Sequence, residues 1–584
     1  MTTLAQAAAA AVSRHSQQAF GLMGNGNAHF IDALTRLGVA MTEVRHEIAS
    51  VASADAYMRV SGRLAIATTT YGAGFTNTMT ALAEAAQART PLLLVVGDAP
   101  STGPRPWDID QEMAAAALGV RTFTIRPDNV GRIVDRAAET AWTHRKPVVL
   151  AIPYDLVNAE VVPGTQRESV DLDDPATREE LAAATMPAPA GQDPVFASDQ
   201  PVTRVTPAEL NQAVQTLAAA ERPVVLAGRG AWLAGAGQQL DAIAARLGAL
   251  TASTALARGI FSEGAYDLGI TGGFGQEAAM AQLAAADVVL VVGASLNQFT
   301  MRFGELFGAG TRVVRVDLDQ VDAPRSVHQI EHQVLRGDAS EVLDALLSGL
   351  EAARPEPGNW RELVAGLEAD GELRRRDTGA GRPDGLCSDG LLDPRAVAAR
   401  LAELLPEDRY VTSDGGHFIG WANMFWPVSS PNRMIMVGTA YQTIGTGFST
   451  VAGVAAAAPE STIVLTTGDG GGLMSIADLE TAVRTARSCV IVVWNDGAYG
   501  AEVHLYGLMG LDKQPMLIPG VDFAALANAV GAKGVRVSRL EHLDALREWR
   551  SAGATGTILL DCRVSRSIVA PYQREIQRVN GLEV

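Results

Sequence analysis

Short runs of apolar residues alternate with helix-like stretches along most of the chain. The runs at 64–70, 91–97 and 147–153 are rich in Val, Ile and Leu and are bounded by glycine or proline. Between them lie stretches with helical spacing, such as 75–88. Parallel strands have continuous apolar runs of this kind, because helices cover both faces of their sheet. The pattern predicts an open parallel α/β sheet over residues 1–160.

The same alternation returns twice, after polar segments that interrupt it. Residues 161–205 are crowded with Asp, Pro and Ala and have no sustained period, which is typical of a linker. A second α/β region covers 206–350, and a third covers 391–584 after another polar stretch at 351–390. We therefore predict an α/β protein with three doubly wound parallel-sheet domains.

Composition and charge exclude several classes of protein. The chain has 584 residues, of which 47% are hydrophobic and 19% are charged, so it has enough apolar material for several cores. Its net charge is −18 and its basic residues are scattered, so we expect no nucleic-acid partner. Apolar runs are shorter than the roughly 18 residues that span a membrane, and the alanine-rich start lacks the basic region of a signal peptide. We expect a soluble, cytoplasmic protein without a membrane partner.

Acidic residues follow two strands of the third predicted domain. Asp469 lies among glycines at the end of the run 461–470, and Asp496 comes 27 positions later, at the end of the run 489–497. Ligands of doubly wound sheets bind at the carboxyl ends of the strands. Glycines let backbone amides approach a phosphate, and a helix predicted to begin near Leu473 adds its positive end. Two carboxylates beside phosphate oxygens suit Mg²⁺, so the pair predicts a diphosphate–magnesium site.

This arrangement resembles the diphosphate–Mg²⁺ signature of the thiamine diphosphate (ThDP) enzymes. That family has Gly-Asp-Gly followed at this spacing by Asn-Asn, whose second Asn is a metal ligand. The resemblance places Asp496 at that position, where an oxygen ligand is kept, and Asn495 stays open as the alternative. It implies three metal ligands, namely Asp469, Asp496 and the carbonyl of Ala498. The implied cofactor-binding residues of this region are Gly468, Gly470, Gly471 and Tyr499.

The first domain carries an independent resemblance to the same enzymes. The segments 20–34, 42–63 and 68–98 are similar to their pyrimidine-binding domain. There the family has a glutamate after Arg-His, which is Glu47 here. Its implied role is to bind N1′ of the aminopyrimidine, which favours the imino tautomer whose 4′-nitrogen removes the C2 proton of the thiazolium. Thr70 and Asn77 are implied as further cofactor-binding residues.

Three more segments of the third domain resemble this family. The segment 438–453 is similar to the one whose bulky apolar residue keeps ThDP bent, and that residue is Ile444 here. The loop that contacts the diphosphate supplies Gly416 and His417. The segment after the metal strand matches the substrate pocket, in which His504 is the candidate catalytic residue.

The substrate loop of the first domain departs from the family pattern. Where the family often has a histidine or a glycine pair, this chain has Asn25 and Gly26, which are the candidates for binding the substrate carbonyl. An amide donates a hydrogen bond to a carbonyl or an alkoxide, but it does not shuttle protons at neutral pH. Decarboxylases that depend on paired active-site histidines are therefore a poor match.

The central domain resembles the one that holds FAD in acetohydroxyacid synthases and ADP in oxalyl-CoA decarboxylase. Its glycine-rich turn at 228–237 has no G-x-G-x-x-G pattern, and the segment 293–304 offers Arg302 as its phosphate candidate. FAD and ADP therefore both stay open, and neither is predicted.

The resemblance covers nearly the whole chain, in the domain order of acetohydroxyacid synthase, benzaldehyde lyase and benzoylformate decarboxylase. It implies an acetolactate-synthase-like carboligase, of the transferase or lyase class, that acts on 2-oxo acids or acyloins with a carbonyl acceptor. It also implies a homodimer or homotetramer whose active sites are shared between chains.

Three other functions compete with a carboligase. One is a non-ligating 2-oxo acid decarboxylase. Another is a nucleotide-binding regulator on an inactive enzyme scaffold, against which the joint presence of Glu47, Asp469 and Asp496 argues. The third is a Rossmann dehydrogenase, whose glycine fingerprint this chain lacks.

Overall fold

The computed structural model describes residues 2–162, 204–354 and 356–582. In these residues it contains three six-stranded sheets, and every pair of neighbouring strands within them is parallel. The predicted fold class, three doubly wound α/β domains, is confirmed. Most of the linker predicted at 161–205 lies outside the described residues.

The N-terminal domain starts with a helix whose first turn is capped by two side chains. Thr3 and Gln6 form a capping box, in which each side chain bonds the backbone N–H of the other. The strands of this domain are β1 (Gln18–Gly21), β2 (Ala40–Glu43), β3 (Ile66–Thr69), β4 (Leu92–Asp98), β5 (Arg121–Thr124) and β6 (Pro147–Pro153). Its helices are α1 (Leu4–Ser13), α2 (Ala28–Arg36), α3 (Glu47–Ser61), α4 (Ala73–Thr76), α5 (Met79–Gln87), α6 (Gln111–Ala117) and α7 (Val130–His144). The strand order is β2-β1-β3-β4-β6-β5.

The central domain has a different strand order. Its strands are β7 (Pro223–Ala227), β8 (Leu250–Ser253), β9 (Asp267–Ile270), β10 (Val288–Val292), β11 (Arg312–Asp317) and β12 (Glu331–Arg336). Its helices are α8 (Pro207–Ala218), α9 (Arg229–Leu233), α10 (Gly237–Leu247), α11 (Glu277–Ala284) and α12 (Ala339–Ala353). The order β12-β11-β10-β7-β8-β9 is that of a dinucleotide-binding fold. A short helix, α13 (Trp360–Leu363), follows this domain.

The C-terminal domain repeats the topology of the first. Its strands are β13 (Arg409–Ser413), β14 (Met434–Ile435), β15 (Thr462–Gly468), β16 (Ser488–Asn495), β17 (Lys533–Val537) and β18 (Gly556–Arg563). Its helices are α14 (Pro394–Leu404), α15 (Ile419–Phe425), α16 (Gly447–Ala457), α17 (Asp469–Met474), α18 (Asp478–Thr485), α19 (Gly500–Leu505), α20 (Phe523–Ala529), α21 (Asp544–Ser551) and α22 (Pro571–Val579). The order β14-β13-β15-β16-β18-β17 matches that of the N-terminal sheet strand for strand. In both sheets the order reverses direction between the first and third strands, which is where doubly wound folds bind their ligands.

The N-terminal and C-terminal domains of the chain pack closely through α3 and α16. The hydroxyl of Ser53 donates to the carbonyl oxygen of Ser449 at 2.7 Å. A Cβ atom on Gly453 would lie 2.0 Å from the carbonyl oxygen of Ser53, so only glycine permits this approach. Ala56 and Val60 of α3 complete an apolar cluster of the C-terminal domain. No helix among the described residues combines the length and the apolar character that a membrane span needs.

Candidate active site

A cleft opens at the carboxyl ends of β13, β15 and β16, at the reversal point of the C-terminal sheet. All the side chains that line it lie between Pro394 and Ile568. They include every residue predicted to hold the diphosphate or the metal: Gly416, His417, Ile444, Gly468, Asp469, Gly470, Gly471, Asp496, Ala498 and Tyr499. The sequence-predicted residues of the C-terminal domain therefore converge on one cleft, with the exception of His504.

The glycines after β15 are required by close contacts at the floor of the cleft. A Cβ on Gly470 would lie 2.8 Å from Cε1 of Tyr499, and one on Gly471 would lie 2.6 Å from Oδ2 of Asp414. The helix predicted to begin near Leu473 begins at Asp469, so the glycines form its first turn. Glycine is a poor helix former in isolation, which is why the sequence pattern placed the start too late.

Two carboxylates face the cleft, of which Asp469 is buried and Asp496 is half-buried. Burial raises the pKa of Asp469 to about 6. Burial, and then the neighbouring charge of Asp469, raises the pKa of Asp496 to about 7. Within the described part of the chain neither carboxylate forms an ion pair; backbone N–H groups bond them instead, from Gly497 to Asp469 at 3.0 Å and from Ala498 to Asp496 at 3.1 Å. The charge of Arg566 opposes the rise in the pKa of Asp496 from a distance. Two adjacent carboxylates that no cation pairs directly form a donor set that fits a divalent cation.

The backbone at Ala498 fits the predicted carbonyl ligand. Ala498 forms an antiparallel bridge with Leu517. The hydrogen bonds of this bridge are made by the residues on either side of the pair: the N–H of Tyr499 donates to Met516, and the N–H of Ile518 donates to Gly497. The backbone groups of Ala498 itself therefore point to the opposite side. That side is the one on which its N–H meets Asp496.

Asn495 and Asp496 occupy different environments. The side-chain amide of Asn495 is buried and donates to Oδ1 of Asp561 at 2.9 Å and to the carbonyl of Val521 at 3.2 Å. Asp496 lines the cleft, whereas Asn495 does not. This placement supports Asp496 as the metal ligand, with Asn495 fixing the end of β16 to β18.

Asp414 is a buried residue of the site that the sequence patterns did not single out. Its carboxylate accepts hydrogen bonds from the N–H of Gly415 at 2.8 Å, from the N–H of Gly445 at 3.0 Å and from the hydroxyl of Thr467 at 3.1 Å. Burial raises the pKa of Asp414, and these donors oppose the rise. Asp414 thus joins three segments: the loop after β13, the loop after β14 and the end of β15. It lies behind Gly471, on the side away from the cleft.

The rings of His417 and His504 are in contact, with centroids 4.7 Å apart and planes tilted by 50°. Burial lowers the pKa of His417 to about 3, so its ring is neutral at pH 7. Its Nε2 accepts the N–H of Ala570 at 3.0 Å, which leaves the proton on Nδ1. Burial also lowers the pKa of His504 to about 4. His504 is buried and is not among the residues that line the cleft, so its position fits packing behind His417 better than the predicted contact with substrate.

The residues predicted to bind the pyrimidine form a second group, in the N-terminal domain. Glu47 is the first residue of α3, and its Oε2 accepts the side-chain N–H of Asn77 at 3.0 Å. A Cβ on Gly74 would lie 2.6 Å from Cγ2 of Thr70 and 3.5 Å from Oε1 of Glu47. Glu47, which follows β2, therefore lies beside Thr70 and Asn77, which follow β3.

Asn25 and Gly26 lie next to this group, in the loop after β1. The N–H of Gly26 donates to Oγ1 of Thr70 at 2.9 Å. The side-chain amide of Asn25 donates to Oη of Tyr71 at 2.9 Å. Tyr71, which the sequence patterns also missed, is held by Arg105, whose guanidinium carbon lies 4.3 Å from the ring centroid. The predicted substrate residues thus share the reversal point of the N-terminal sheet with Glu47.

The two groups do not form one site within a single chain. None of the residues predicted in the N-terminal domain lines the cleft of the C-terminal domain. Large apolar side chains are instead exposed in both domains: Met23, Trp107 and Met113 in the first and Ile444, Met474 and Tyr499 in the third.

The glycine-rich turn of the central domain packs against the loop after β10. The N–H of Gly228 donates to Val292 and that of Gly230 donates to Gly293. A Cβ on Gly228 would lie 2.3 Å from the carbonyl oxygen of Gly293. Close packing between the two loops therefore accounts for these glycines.

Arg302, the phosphate candidate of the central domain, is held by two carboxylates. Its Nε donates to Glu575 at 2.8 Å, and its Nη2 donates to Glu277 at 2.9 Å. A phosphate would have to compete with both pairs, so these contacts give no support to a nucleotide at Arg302.

Comparison with known proteins identifies the family. Residues 1–118, 210–346 and 414–562 match the N-terminal TPP binding domain, the central domain and the C-terminal TPP binding domain of the thiamine pyrophosphate enzymes. The chain therefore belongs to the ThDP-dependent enzymes, as a member of the transferase or lyase class.

Similar proteins define its type within that family. The chain is 28% identical to the acetolactate synthase isozyme 3 large subunit of Escherichia coli (strain K12), over 90% of this chain and 88% of that protein. It is 26% identical to the sulfoacetaldehyde acetyltransferase of Castellaniella defragrans, over 95% of this chain and 92% of that protein. It is 27% identical to a probable 2-ketoarginine decarboxylase of Pseudomonas aeruginosa, over 93% of this chain and 90% of that protein. The chain is thus a ThDP enzyme of the acetolactate synthase type.

Proposed function

We propose that the protein is a ThDP- and Mg²⁺-dependent carboligase. It cleaves a 2-oxo acid, with loss of CO₂, or an acyloin, and joins the acyl unit to a second carbonyl compound. The observation that carries this proposal is the cleft that is lined together by the glycines after β15, by Ile444 and by the carboxylates of Asp469 and Asp496. The similarity to acetolactate synthases supports it.

The C-terminal domain, assigned here to residues 391–584, holds the diphosphate and the metal in this proposal. Asp469, Asp496 and the carbonyl of Ala498 bind Mg²⁺, whose charge offsets the repulsion between the two carboxylates. The glycines that line the cleft have no side chain, so phosphate oxygens can approach their backbone, and the proton on Nδ1 of His417 is available to donate to these oxygens.

The N-terminal domain, assigned to residues 1–160, supplies the acid–base group. When bound, ThDP supplies a thiazolium carbon that adds to carbonyl groups and an electron sink that stabilises the resulting charge. Glu47 holds the proton shared with the pyrimidine, and Asn77 orients its carboxylate by the bond at 3.0 Å. Asn25 donates to the carbonyl oxygen of the substrate. The central domain, residues 206–350, connects the two and has no role in the proposed chemistry.

Each active site is assembled from two chains in this proposal. The cleft is lined by the C-terminal domain alone, and the Glu47 group lies outside it. A second chain that places its N-terminal domain over this cleft would complete the site and cover the exposed apolar side chains on both halves. The assembly is therefore a homodimer, or two such dimers paired as a tetramer.

Product analysis tests the proposal. The purified protein is incubated with ThDP, Mg²⁺ and a panel of 2-oxo acids, with and without acceptor aldehydes and 2-oxo acids, and the products are identified by mass spectrometry. A carboligase gives a coupled hydroxyketone that contains carbon from donor and acceptor. Free aldehyde as the sole product in every mixture would support the non-ligating decarboxylase instead. Absence of ThDP binding by the wild-type protein would overturn both.

A further inference from the structure

The loop of residues 438–446 forms one lip of the cleft and carries Ile444. It belongs to the C-terminal domain, yet a side chain of the N-terminal domain holds its first half. Glu84, on α5, is 0% exposed and accepts the N–H of Tyr441 at 2.7 Å and the N–H of Ala440 at 3.2 Å. Two backbone donors that converge on one carboxylate make a strong anchor, because charge-assisted hydrogen bonds are about twice as strong as neutral ones.

The second half of the loop has an anchor of the same kind. Asp414 accepts the N–H of Gly445 at 3.0 Å and that of Thr446 at 3.4 Å. Between the two anchors, Gln442 has a left-handed backbone with a φ of 58°, which residues with a Cβ rarely adopt. Such a conformation persists where its surroundings impose it. The backbone at Gln442 is thus held in a conformation that this residue does not favour.

The charge of Glu84 is balanced within the interface between the domains. Arg59, on α3, contacts Glu84 at 3.3 Å and makes two bonds to Asp55, at 2.6 and 2.9 Å. Its third nitrogen, Nη1, donates to the carbonyl of Met436, just before the loop. Asp55 and Glu84 are both buried partners of Arg59, but among the two only Glu84 bonds the loop.

From these contacts we infer that Glu84 is a positioning residue for the cofactor: it fixes Ile444 in the place where that side chain supports bound ThDP. This rests on the proposed function, because the support by Ile444 is part of it. Ile444 is 43% exposed and contacts the floor of the cleft near Gly415 and Gly471, so its own packing does not fix the loop. A neutral amide at position 84 cannot replace the carboxylate, because its NH₂ group would face donors from the loop or from Arg59.

Three variants separate positioning from stability. Glu84→Gln removes the charge and one acceptor from the loop. Asp55→Asn removes the other partner of Arg59, from an equally buried place, and leaves the loop anchors intact. Glu84→Asp keeps the charge but withdraws the carboxylate by one methylene. It provides a second test in case the Glu84→Gln protein does not fold.

The measurements are the dissociation constant of ThDP by calorimetry in the presence of Mg²⁺ and the melting temperature of the cofactor-free protein. Both neutral variants should melt at lower temperature than wild type. Both Glu84 variants should bind ThDP at least about tenfold more weakly, whereas Asp55→Asn should bind it with near wild-type affinity. Cleavage of the cofactor-free protein by chymotrypsin at Tyr441, which is 51% exposed, should be faster in the Glu84 variants alone.

The outcomes distinguish this inference from the proposed function. A wild-type protein that does not bind ThDP overturns the proposed function and the inference with it. A wild-type protein that binds ThDP, with Glu84 variants that bind it equally well or no worse than Asp55→Asn, overturns the inference alone.

Discussion

Asp496 and Asn495 are adjacent in sequence, but they are expected to contribute to different properties of the protein. Asp496 faces the cleft beside Asp469, and the charge of Asp469 raises the cost of ionising Asp496. Asn495 faces β18, where its amide is a donor to the buried carboxylate of Asp561. Removal of one should therefore affect the metal, and removal of the other should affect the fold.

We predict that Asp496→Ala loses Mg²⁺-dependent retention of ThDP on dialysis, while the cofactor-free protein stays as stable as wild type. Asn495→Ala should retain ThDP but lower the free energy of unfolding by about 1–3 kcal/mol, because Asp561 loses a buried donor. Cofactor content after dialysis and denaturant unfolding of the cofactor-free proteins are the two measurements. If Asn495→Ala loses the cofactor and Asp496→Ala keeps it, the metal ligand is Asn495.

Glu47 provides a second prediction for a single residue. Glu47→Gln should bind ThDP with near wild-type affinity, because an amide still bonds the pyrimidine, but it should lower kcat about 100-fold or more. Exchange of the C2 proton of bound ThDP, followed by NMR, should slow in parallel. Asn77→Ala is the matched variant: it removes the bond that orients Glu47 and should slow exchange less. Exchange at the wild-type rate in Glu47→Gln would contradict the role of this carboxylate.

The sequence predicted the residues that belong to a recognisable motif and missed those whose partners are backbone N–H groups of other segments. Asp469 and Asp496 were found because each follows a strand, and strand ends meet at one edge of a parallel sheet. Asp414 and Glu84 act on backbone N–H groups that lie 31 and 356 positions away. Any residue has a backbone N–H, so nothing in the sequence of the partner segments marks such contacts.

Helices α3 and α16 cross in close contact between the N-terminal and C-terminal domains. The backbones of Ser53 and Gly453 are in contact there. Glu47 is the first residue of α3, and α16 begins directly after the loop that carries Ile444. The fit of these helices therefore affects both halves of the proposed site.

We predict that Gly453→Ala lowers the free energy of unfolding by about 1–3 kcal/mol, because the new Cβ would lie 2.0 Å from the carbonyl oxygen of Ser53. Gly237→Ala is the control: it also adds a methyl group to a helix, but the nearest atom is 3.5 Å away. Denaturant unfolding of both variants measures the difference. Equal stability of the two variants would mean that the helices shift apart at little cost.

The elements were more predictable than their arrangement. Apolar runs indicated the strands, because strands covered on both faces need apolar residues at every position. The strand orders could not be predicted from these runs, since parallel pairing depends on the crossovers between strands and not on the strand sequences. The identical order in the first and third sheets, which places both groups of site residues at a reversal point, came from the structure.

At the scale of the whole molecule, one chain carries both halves of the proposed site but does not bring them together. Glu47 and its neighbours do not line the cleft that holds Asp469. The α3–α16 contact already fixes the N-terminal domain to the C-terminal domain of its own chain through tightly fitted atoms. Closing the site within one chain would require that contact to break, whereas a second chain can supply the missing half without disturbing it.

Subunit mixing tests this assembly. Glu47→Gln damages one half of the site and Asp469→Ala damages the other, so each variant alone should be inactive. In a mixed dimer, one site takes Glu47 from one chain and Asp469 from the other and is intact, while the second site carries both changes. Random exchange makes half of the dimers mixed, so activity should recover to about a quarter of the wild-type value for a symmetric two-site dimer. The control is a mixture of Asp469→Ala with Asp496→Ala, which damage the same half and should give no recovery. Native mass spectrometry verifies the exchange. If exchange is complete and the first mixture stays inactive, each chain builds its own site, and α3 and α16 must separate for it to form.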